Sequence, residues 1–235
     1  MRNIDVCLSP ELIDLYDIEG KIVVVVDILR ATSCMVTATA HGIKEIVPVC
    51  TVEECRTLQQ NGYLAAAERN GDIVDGFEFG NSPFSYMDEN IRGKSLGVTT
   101  TNGTIALDRS KPADEVLVGA FLNISSIASY VRKKDKDIVI FCAGWKGRVN
   151  LEDTLFAGAL IDLLKDDYSM EHDAAIVAHS TYLNAKDDMI SFLSECSHVR
   201  RLNRLNIKKD VEFCLRTDVF NVVPALQGNS IVSVK

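Results

Sequence analysis

Short apolar runs recur along the chain and are separated by segments with polar ends and small residues. The clearest run covers residues 22–26, where five β-branched apolar side chains follow one another. Such a run is typical of a strand that is buried on both faces. Further strands are predicted at residues 4–8, 45–50, 63–67, 96–99, 115–118, 137–142, 219–223 and 231–234. The alternation of these strands with helical segments predicts an α/β fold.

Helices are predicted between most of these strands. Thr32 or Ser33 is a suitable cap for the start of a helix over residues 32–40, and Gly42 lies where such a helix commonly ends. Pro48 indicates that the strand over 45–50 is an edge strand or contains a bulge, because proline cannot donate a backbone hydrogen bond. Further helices are predicted at residues 51–61, 123–134, 186–205 and 211–215 and after residue 150, whereas residues 174–178 fit a strand or a helix.

Asp27 follows the apolar run over residues 22–26 directly, and Arg30, Thr32 and Ser33 come next. A carboxylate at the end of a buried strand is unfavourable unless a metal ion, a cation or hydrogen bonds compensate its charge. In open α/β sheets, ligands bind outside the carboxyl ends of the strands. We therefore expect Asp27 and its turn to form one wall of an active site.

Taken together, the strand ends carry polar side chains of three kinds. The carboxylates are Asp27, Glu68, Glu152 and Asp153. The cations are Arg30, Arg69, Lys146 and Arg148. The neutral donors are Ser33, Asn70, Asn81, Ser82, Thr100, Asn102 and Thr104. Each has a structural explanation as well, such as a turn cap or a favourable charge in a first helical turn, so the prediction depends on their joint occurrence at strand ends.

A weak internal repetition links four of these turns, which begin at Asp27, Glu68, Thr99 and Cys142. Each turn joins an apolar strand to a helix with small residues. Any α/β protein shows some repetition of this kind. Residues 1–235 are predicted to form a single domain, and the repetition allows two similar halves, about 1–125 and 126–235.

Composition narrows the range of partners. The chain has 235 residues, 47% of them hydrophobic, and a net charge of −8, which argues against nucleic acid as a partner but not against small anions.

No apolar run is long enough to span a bilayer, and the first residues do not form a signal peptide. Seven cysteines without a CxxC pair indicate a reducing cytoplasm and mostly buried thiols, Cys50 among them. The helices with small residues allow packing within the chain or in a homo-oligomer.

The candidate side chains suit phosphate chemistry. Hard oxygen ligands without a set of His and Cys residues favour Mg²⁺, which takes one or two carboxylates together with water and phosphate oxygens. Arginines bind phosphate and carboxylate groups in a bidentate manner. The sequence therefore predicts a site for a small phosphorylated anion, and metal-assisted phosphoryl transfer to water is the expected reaction.

Three alternatives bear on this prediction. Asp27 matches the first aspartate of the haloacid-dehalogenase phosphatases, but Leu29 replaces the second aspartate of their Asp-x-Asp-x-Thr pattern, which excludes that family. Cys142 and Arg148 have the Cys-x5-Arg spacing of metal-independent cysteine phosphatases, whose chemistry requires a thiolate of low pKa. The third alternative is a non-catalytic protein that binds an anionic metabolite.

Seven segments that include most of the candidate residues lie in order along almost the whole chain: 26–33, 68–71, 80–83, 100–104, 142–144, 152–158 and 214–224. The first reads Val-Asp-Ile-Leu-Arg-Ala-Thr-Ser. Together the segments resemble the 2-phosphosulfolactate phosphatases, the ComB-type enzymes of coenzyme M biosynthesis. The resemblance implies a Mg²⁺-dependent phosphatase for phosphate esters of 2-hydroxy acids. It also implies a three-layer α/β/α fold with a mixed, largely parallel sheet.

Roles follow from residue chemistry within this resemblance. Asp27 is expected to hold Mg²⁺ with help from Glu68, Glu152 or Asp153, and its action as a nucleophile stays open. The arginines at 30, 69 and 148, with Lys146, are expected to bind the phosphate and acid groups. Neutral donors are expected from Ser33, Asn70, Asn81, Ser82, Thr100, Asn102 and Thr104.

Overall fold

A central sheet organises the chain, which a computed structural model describes over residues 2–69, 72–204 and 207–234, with backbone only at 69, 203 and 204. In this part of the chain the sheet has eleven strands: β1 (Arg2–Cys7), β2 (Ile22–Val26), β3 (Glu45–Pro48), β4 (Leu64–Arg69), β5 (Asp72–Ile73), β6 (Ser95–Thr99), β7 (Glu115–Gly119), β8 (Ile138–Cys142), β9 (Tyr168–Ser169), β10 (Val223–Gln227) and β11 (Ser230–Val234).

Helices cover both faces of this sheet, so the predicted α/β/α layering is confirmed. They are α1 (Ala31–Ala40), α2 (Val52–Gln60), α3 (Gly103–Arg109), α4 (Ile124–Arg132), α5 (Leu151–Leu164), α6 (Asp173–Ala185), α7 (Met189–Leu193), α8 (Ser197–Arg204) and α9 (Lys208–Cys214). Short 3-10 helices occur at Pro10–Leu15, Pro83–Met87, Glu89–Ile91 and Phe121–Asn123. None of the helices in the described ranges has the length and apolar character needed to cross a bilayer.

The strand order is β5-β4-β6-β3-β11-β10-β7-β2-β8-β1-β9. Strand β2 lies inside the sheet and pairs in parallel with β7 and β8, so that Val26 is level with Gly119 and Cys142. Its five residues are fully buried, as the unbroken β-branched run predicts. The antiparallel hairpin of β10 and β11 lies between β7 and β3 and makes the sheet mixed. This topology brings the carboxyl ends of β2 and β8 to one edge, where Asp27 begins its turn.

Several predicted boundaries are wrong near Asp27 and Pro48. Neither Thr32 nor Ser33 caps α1, because Thr32 Oγ1 accepts a bond from the Asp27 backbone N–H and Ser33 Oγ donates to the Ile28 carbonyl. Strand β3 is not an edge strand but lies between β6 and β11. Pro48 is tolerated because it is the last residue of that strand. Cys50, two residues after Pro48, is exposed rather than buried.

The carboxyl-terminal third departs most from the predicted elements. The helix expected over residues 186–205 is two helices, because the Asp188 side chain accepts the Ser191 N–H to begin α7 and Cys196 Sγ accepts the Val199 N–H near the start of α8. The segment at 174–178 belongs to α6. The strand expected over 219–223 begins only at Val223, since the Phe220 N–H donates to the Leu122 carbonyl instead. Strand β8 pairs with both β1 and β2. The division of the chain into two similar halves stays a prediction.

Candidate active site

A cavity of about 370 Å³ lies at the carboxyl ends of the strands, next to the turn between β2 and α1. Five other segments contribute to its wall: the end of β4, residue 81, the loop after β6, the loop after β8, and α8. Its lining residues in the described part of the chain are Asp27, Leu29, Arg30, Glu68, Asn81, Thr100, Thr101, Asn102, Trp145, Lys146, His198, Arg201 and Leu202. The cavity is therefore at the edge of the sheet where ligands of open α/β proteins bind.

A second, larger depression of about 670 Å³ lies near the amino ends of β1, β2 and β8. Two of its three cations in the described ranges are already engaged: Arg2 donates to the carbonyls of Arg132 and Lys134, and the Lys136 ammonium lies 3.0 Å from Asp114. Because four carboxylates also line this depression, the cavity at the carboxyl ends is the better candidate for anion binding.

Asp27 is only 7% exposed, although it lines the cavity. Its carboxylate accepts the backbone N–H groups of Ala31 and Gly103, which are the first residues of α1 and α3. A Cβ atom at Gly103 would lie 3.0 Å from Asp27 Oδ2 and 2.9 Å from the Ala31 side chain, so glycine allows this close approach. Burial raises the pKa of Asp27 to about 6, and the nearby charge of Glu152 makes a smaller contribution to this increase.

Two carboxylates at the start of α5 lie beneath the cavity, both fully buried. Asp153 Oδ1 accepts the Ile28 N–H at 2.9 Å, and its Oδ2 accepts the Gly144 N–H at 3.1 Å. Asp153 therefore ties the turn after β2 to the loop after β8. Burial raises the pKa of Asp153 well above its ordinary value, and the charges of Asp27 and Glu152 add to this effect.

Glu152 forms a buried pair with a residue that no sequence pattern singled out. Its Oε1 is hydrogen-bonded to His198 Nδ1, whereas its Oε2 has no hydrogen-bond partner in the described residues. His198 lies on α8 and lines the cavity. It was not predicted because it lies in a mixed-charge helix and not at a strand end, and no motif distinguishes it from the other three histidines.

Arg30 joins three parts of the chain. Its Nη2 lies 2.6 Å from Glu68 Oε2 at the end of β4, and its Nη1 is hydrogen-bonded to Asp210 of α9. The guanidinium lines the cavity but is balanced by two carboxylates. Its predicted role in binding an anion is therefore shared with a structural role, which the sequence did not indicate because Asp210 is 180 residues away.

Trp145 forms the wall between the loop after β8 and α8. Lys146 Nζ lies 4.9 Å from the centre of the Trp145 ring, and Arg201 Cζ lies 5.4 Å from it. The His198 ring stacks on the indole at 6.2 Å with an interplanar angle of 12°. Lys146 was predicted at this site, whereas Trp145 and Arg201 were not, because aromatic residues and helix positions were not part of the strand-end argument.

The loop after β6 closes on itself. The Thr104 N–H donates to Thr100 Oγ1 at 3.1 Å, and the Thr104 hydroxyl donates to the Thr100 carbonyl at 2.9 Å. Asn102 Oδ1 accepts the Lys146 N–H at 3.4 Å and so joins this loop to the one after β8. Thr100 and Asn102 line the cavity, whereas Thr104 is buried and positions the turn.

The remaining predicted residues divide into three groups. Asn81 and Glu68 line the cavity. Among the residues whose positions are described, the cavity lining does not include Ser33, which is buried, Ser82, which precedes a 3-10 helix, or Arg148, which is exposed. Asn70 and the side chain of Arg69 lie outside the described residues.

Comparison with known proteins gives the family. A family model described as 2-phosphosulpholactate phosphatase matches residues 7–229. The chain belongs to this family. A probable 2-phosphosulfolactate phosphatase of Caldanaerobacter subterraneus subsp. tengcongensis is 41% identical over 221 residues, which are 92% of this chain and 91% of the relative. A protein of the same name from Clostridium acetobutylicum is 35% identical over 98% of this chain and its own full length. The class of activity is that of a phosphoric monoester hydrolase, and the resemblance drawn from the motifs is confirmed.

The donors at this site can be compared with the ligands that Mg²⁺ requires. Within residues 2–69, 72–204 and 207–234, no group of three or more His, Cys, Asp or Glu side chains is arranged to hold a metal ion. Mg²⁺ needs only one or two carboxylates beside water and phosphate oxygens. Asp27 at the cavity and the Oε2 of Glu152, which has no partner among the described residues, are donors of this kind. Asp153 fits less well, because both of its oxygens accept backbone N–H groups and it is not among the described residues that line the cavity. Glu68 fits less well because its Oε2 is paired with the Arg30 guanidinium.

Cys142 does not have the surroundings of a phosphatase nucleophile. It is fully buried at the end of β8, and burial raises the pKa of its thiol well above the ordinary value. Arg148, the partner expected from the spacing, is exposed. The geometry therefore does not support the cysteine-phosphatase alternative.

Replacement of Cys142 by serine is expected to lower kcat by less than about tenfold, whereas loss of an essential nucleophile costs up to about a millionfold. Phosphate release by the purified variant measures this. Cys55→Ser, which also places a hydroxyl at a buried thiol position, is the matched control. Loss of turnover in Cys142→Ser but not in Cys55→Ser would restore the thiol mechanism.

Proposed function

We propose that this protein hydrolyses the phosphate ester of a 2-hydroxy acid in a Mg²⁺-dependent reaction. The proposed substrate is 2-phosphosulfolactate, and the products are sulfolactate and phosphate, as in coenzyme M biosynthesis in the cytoplasm. The observation that supports this proposal is a cavity of about 370 Å³ that contains the Asp27 carboxylate together with Arg30, Lys146 and Arg201. Membership of the phosphatase family and the names of the relatives support the substrate.

Asp27 and Glu152 are the residues proposed to hold Mg²⁺. When bound, the ion would neutralise phosphate charge and favour the ionised form of a water nucleophile. The N–H groups of Ala31 and Gly103 fix the Asp27 carboxylate, so that its orientation is set before substrate binds. Asp153 keeps the loops on either side in place.

Side chains at the cavity are proposed to bind the phosphate, to protonate the leaving oxygen and to limit the access of water. Arg30 offers guanidinium donors at the cavity wall while Glu68 and Asp210 fix its orientation. His198 Nδ1 is engaged by Glu152, which leaves Nε2 to donate a proton to the departing oxygen of the 2-hydroxy acid. Trp145 and Leu202 are apolar wall residues that limit access of water.

Removal of divalent cations is expected to abolish turnover. Wild-type protein with Mg²⁺ should release phosphate from 2-phosphosulfolactate, EDTA should lower the rate by about a hundredfold or more, and Mg²⁺ in excess should restore it. A panel that includes 2-phospholactate defines the substrate class. Turnover that resists EDTA would contradict the metal requirement, and binding of these esters without phosphate release would support the non-catalytic alternative.

A further inference from the structure

Two cations of the cavity have no carboxylate partner among the residues that the structure describes. The Arg30 guanidinium is balanced by Glu68 and Asp210. By contrast, no carboxylate in the described ranges lies within ion-pair distance of Lys146 or Arg201, although other cations such as Arg109 and Lys111 have such partners. Both cations line the same cavity, and an anionic group bound there would balance their charge. An anionic group could therefore bind at the wall formed by Trp145, Lys146 and Arg201.

Trp145 contacts both cations. Lys146 Nζ and Arg201 Cζ both lie within 5.4 Å of the indole centre. Cation–π contact of this kind positions the charged groups while leaving their N–H donors free for a ligand. The backbone of Lys146 is also anchored, because its N–H donates to Asn102 Oδ1.

The position of this wall relative to Asp27 fits a particular part of the proposed substrate. His198 of α8 lines the cavity together with Asp27, and Arg201 lies three residues further along the same helix. Three residues correspond to about 4.5 Å along a helix axis. In 2-phosphosulfolactate the carboxylate is attached to the carbon that carries the phosphate, whereas the sulfonate is one methylene further away. With the phosphate at Asp27, the sulfonate is therefore the acid that extends further toward Arg201.

We propose that Arg201 and Lys146, positioned by Trp145, bind the sulfonate of the substrate and determine specificity for it. This proposal rests on the proposed function for the identity of the substrate. The sulfonate is fully ionised at neutral pH and has three oxygens that can accept from both side chains. These residues select the substrate by binding, and Asp27 with its surroundings serves the reacting phosphate.

Direct binding tests this assignment. Sulfolactate and lactate, which differ by the sulfonate, are titrated calorimetrically into wild-type protein and into Arg201→Met and Lys146→Met. Each variant is expected to weaken sulfolactate binding by about 10- to 100-fold, the usual effect of losing a charge-assisted hydrogen bond. Lactate affinity should change much less. Arg200→Met is the matched control, since Arg200 is the neighbouring residue, has a 58% exposed side chain and lies 3.9 Å from Glu195.

Kinetics provide a second measurement. Arg201→Met should lower kcat/KM for 2-phosphosulfolactate at least about tenfold more than for 2-phospholactate, with the loss in KM. Equal losses on both esters, or sulfolactate affinity equal to that of wild type, would overturn the assignment. Absence of sulfolactate binding by the folded wild type would overturn it too. Sulfolactate binding that depends on Arg201 in a protein without phosphatase activity would leave the assignment standing and refute the proposed function.

Discussion

Replacing Asp27 by asparagine is expected to lower kcat for phosphate release by about three orders of magnitude or more, as loss of a central catalytic carboxylate does elsewhere. The substituted side chain would keep its shape but lose the negative charge that the proposed Mg²⁺ ligand requires. Its new amide group would also face the N–H of Ala31 or Gly103, both of which now donate to the carboxylate. The rate of phosphate release at saturating substrate and Mg²⁺ measures the effect.

The same variant should remain folded. Asp27, Glu152 and Asp153 are buried together, and their charges repel one another. Removal of one charge from this cluster relieves the repulsion, which offsets the cost of the N–H group that faces the new amide, so the melting temperature should not fall appreciably. Asp14→Asn, at a largely exposed aspartate, is the control for both measurements. Activity of Asp27→Asn within about tenfold of wild type would refute the central role of Asp27.

The place of the site was predictable from the sequence for a physical reason. A buried parallel strand such as β2 needs an unbroken apolar run, and the residue after it must lie at the edge where the neighbouring strands also end. Asp27 and Glu68 could therefore be expected at one edge before any pairing was known. The register of β2 with β7 and β8 agrees with this reasoning.

Residues that reach the cavity from helices were not predictable in this way. His198 and Arg201 lie on α8, whose position depends on the break at residues 194–196 and on contacts with α9. The long helix predicted over residues 186–205 concealed this break. Asp210 was missed for a similar reason, since its pairing with Arg30 depends on how α9 packs and not on a local pattern.

Functional roles are harder to predict than positions, because one residue type serves two purposes at this edge. Asp153 and Asp27 are both aspartates near strand ends, yet Asp153 accepts two backbone N–H groups and joins two loops, whereas Asp27 faces the cavity. Thr100 and Thr104 likewise form a closed turn. Only the pattern of hydrogen bonds separates the residues that position the site from those that face a ligand.

Replacing Arg30 by methionine is expected to destabilise the protein by about 3–5 kcal/mol and to lower activity. Methionine fills similar space but leaves the Asp210 carboxylate, whose side chain is 8% exposed, without its cation. Glu68 is less affected, because its side chain is 18% exposed and can regain water. Urea unfolding measures the free energy of unfolding, and phosphate release measures activity.

A second substitution separates the two consequences. In the double variant Arg30→Met/Asp210→Leu the buried carboxylate is absent, so much of the lost stability should return, because replacing both members of a buried ion pair by apolar groups is often nearly neutral. Activity should not return, because the guanidinium at the cavity wall is still missing. Arg92→Met, which breaks the exposed pair with Glu89, should change stability far less. Equal stability losses in Arg30→Met and Arg92→Met would show that the buried pairing of Arg30 with Asp210 and Glu68 contributes little to stability. Recovery of activity in the double variant would show that Arg30 acts only through the fold.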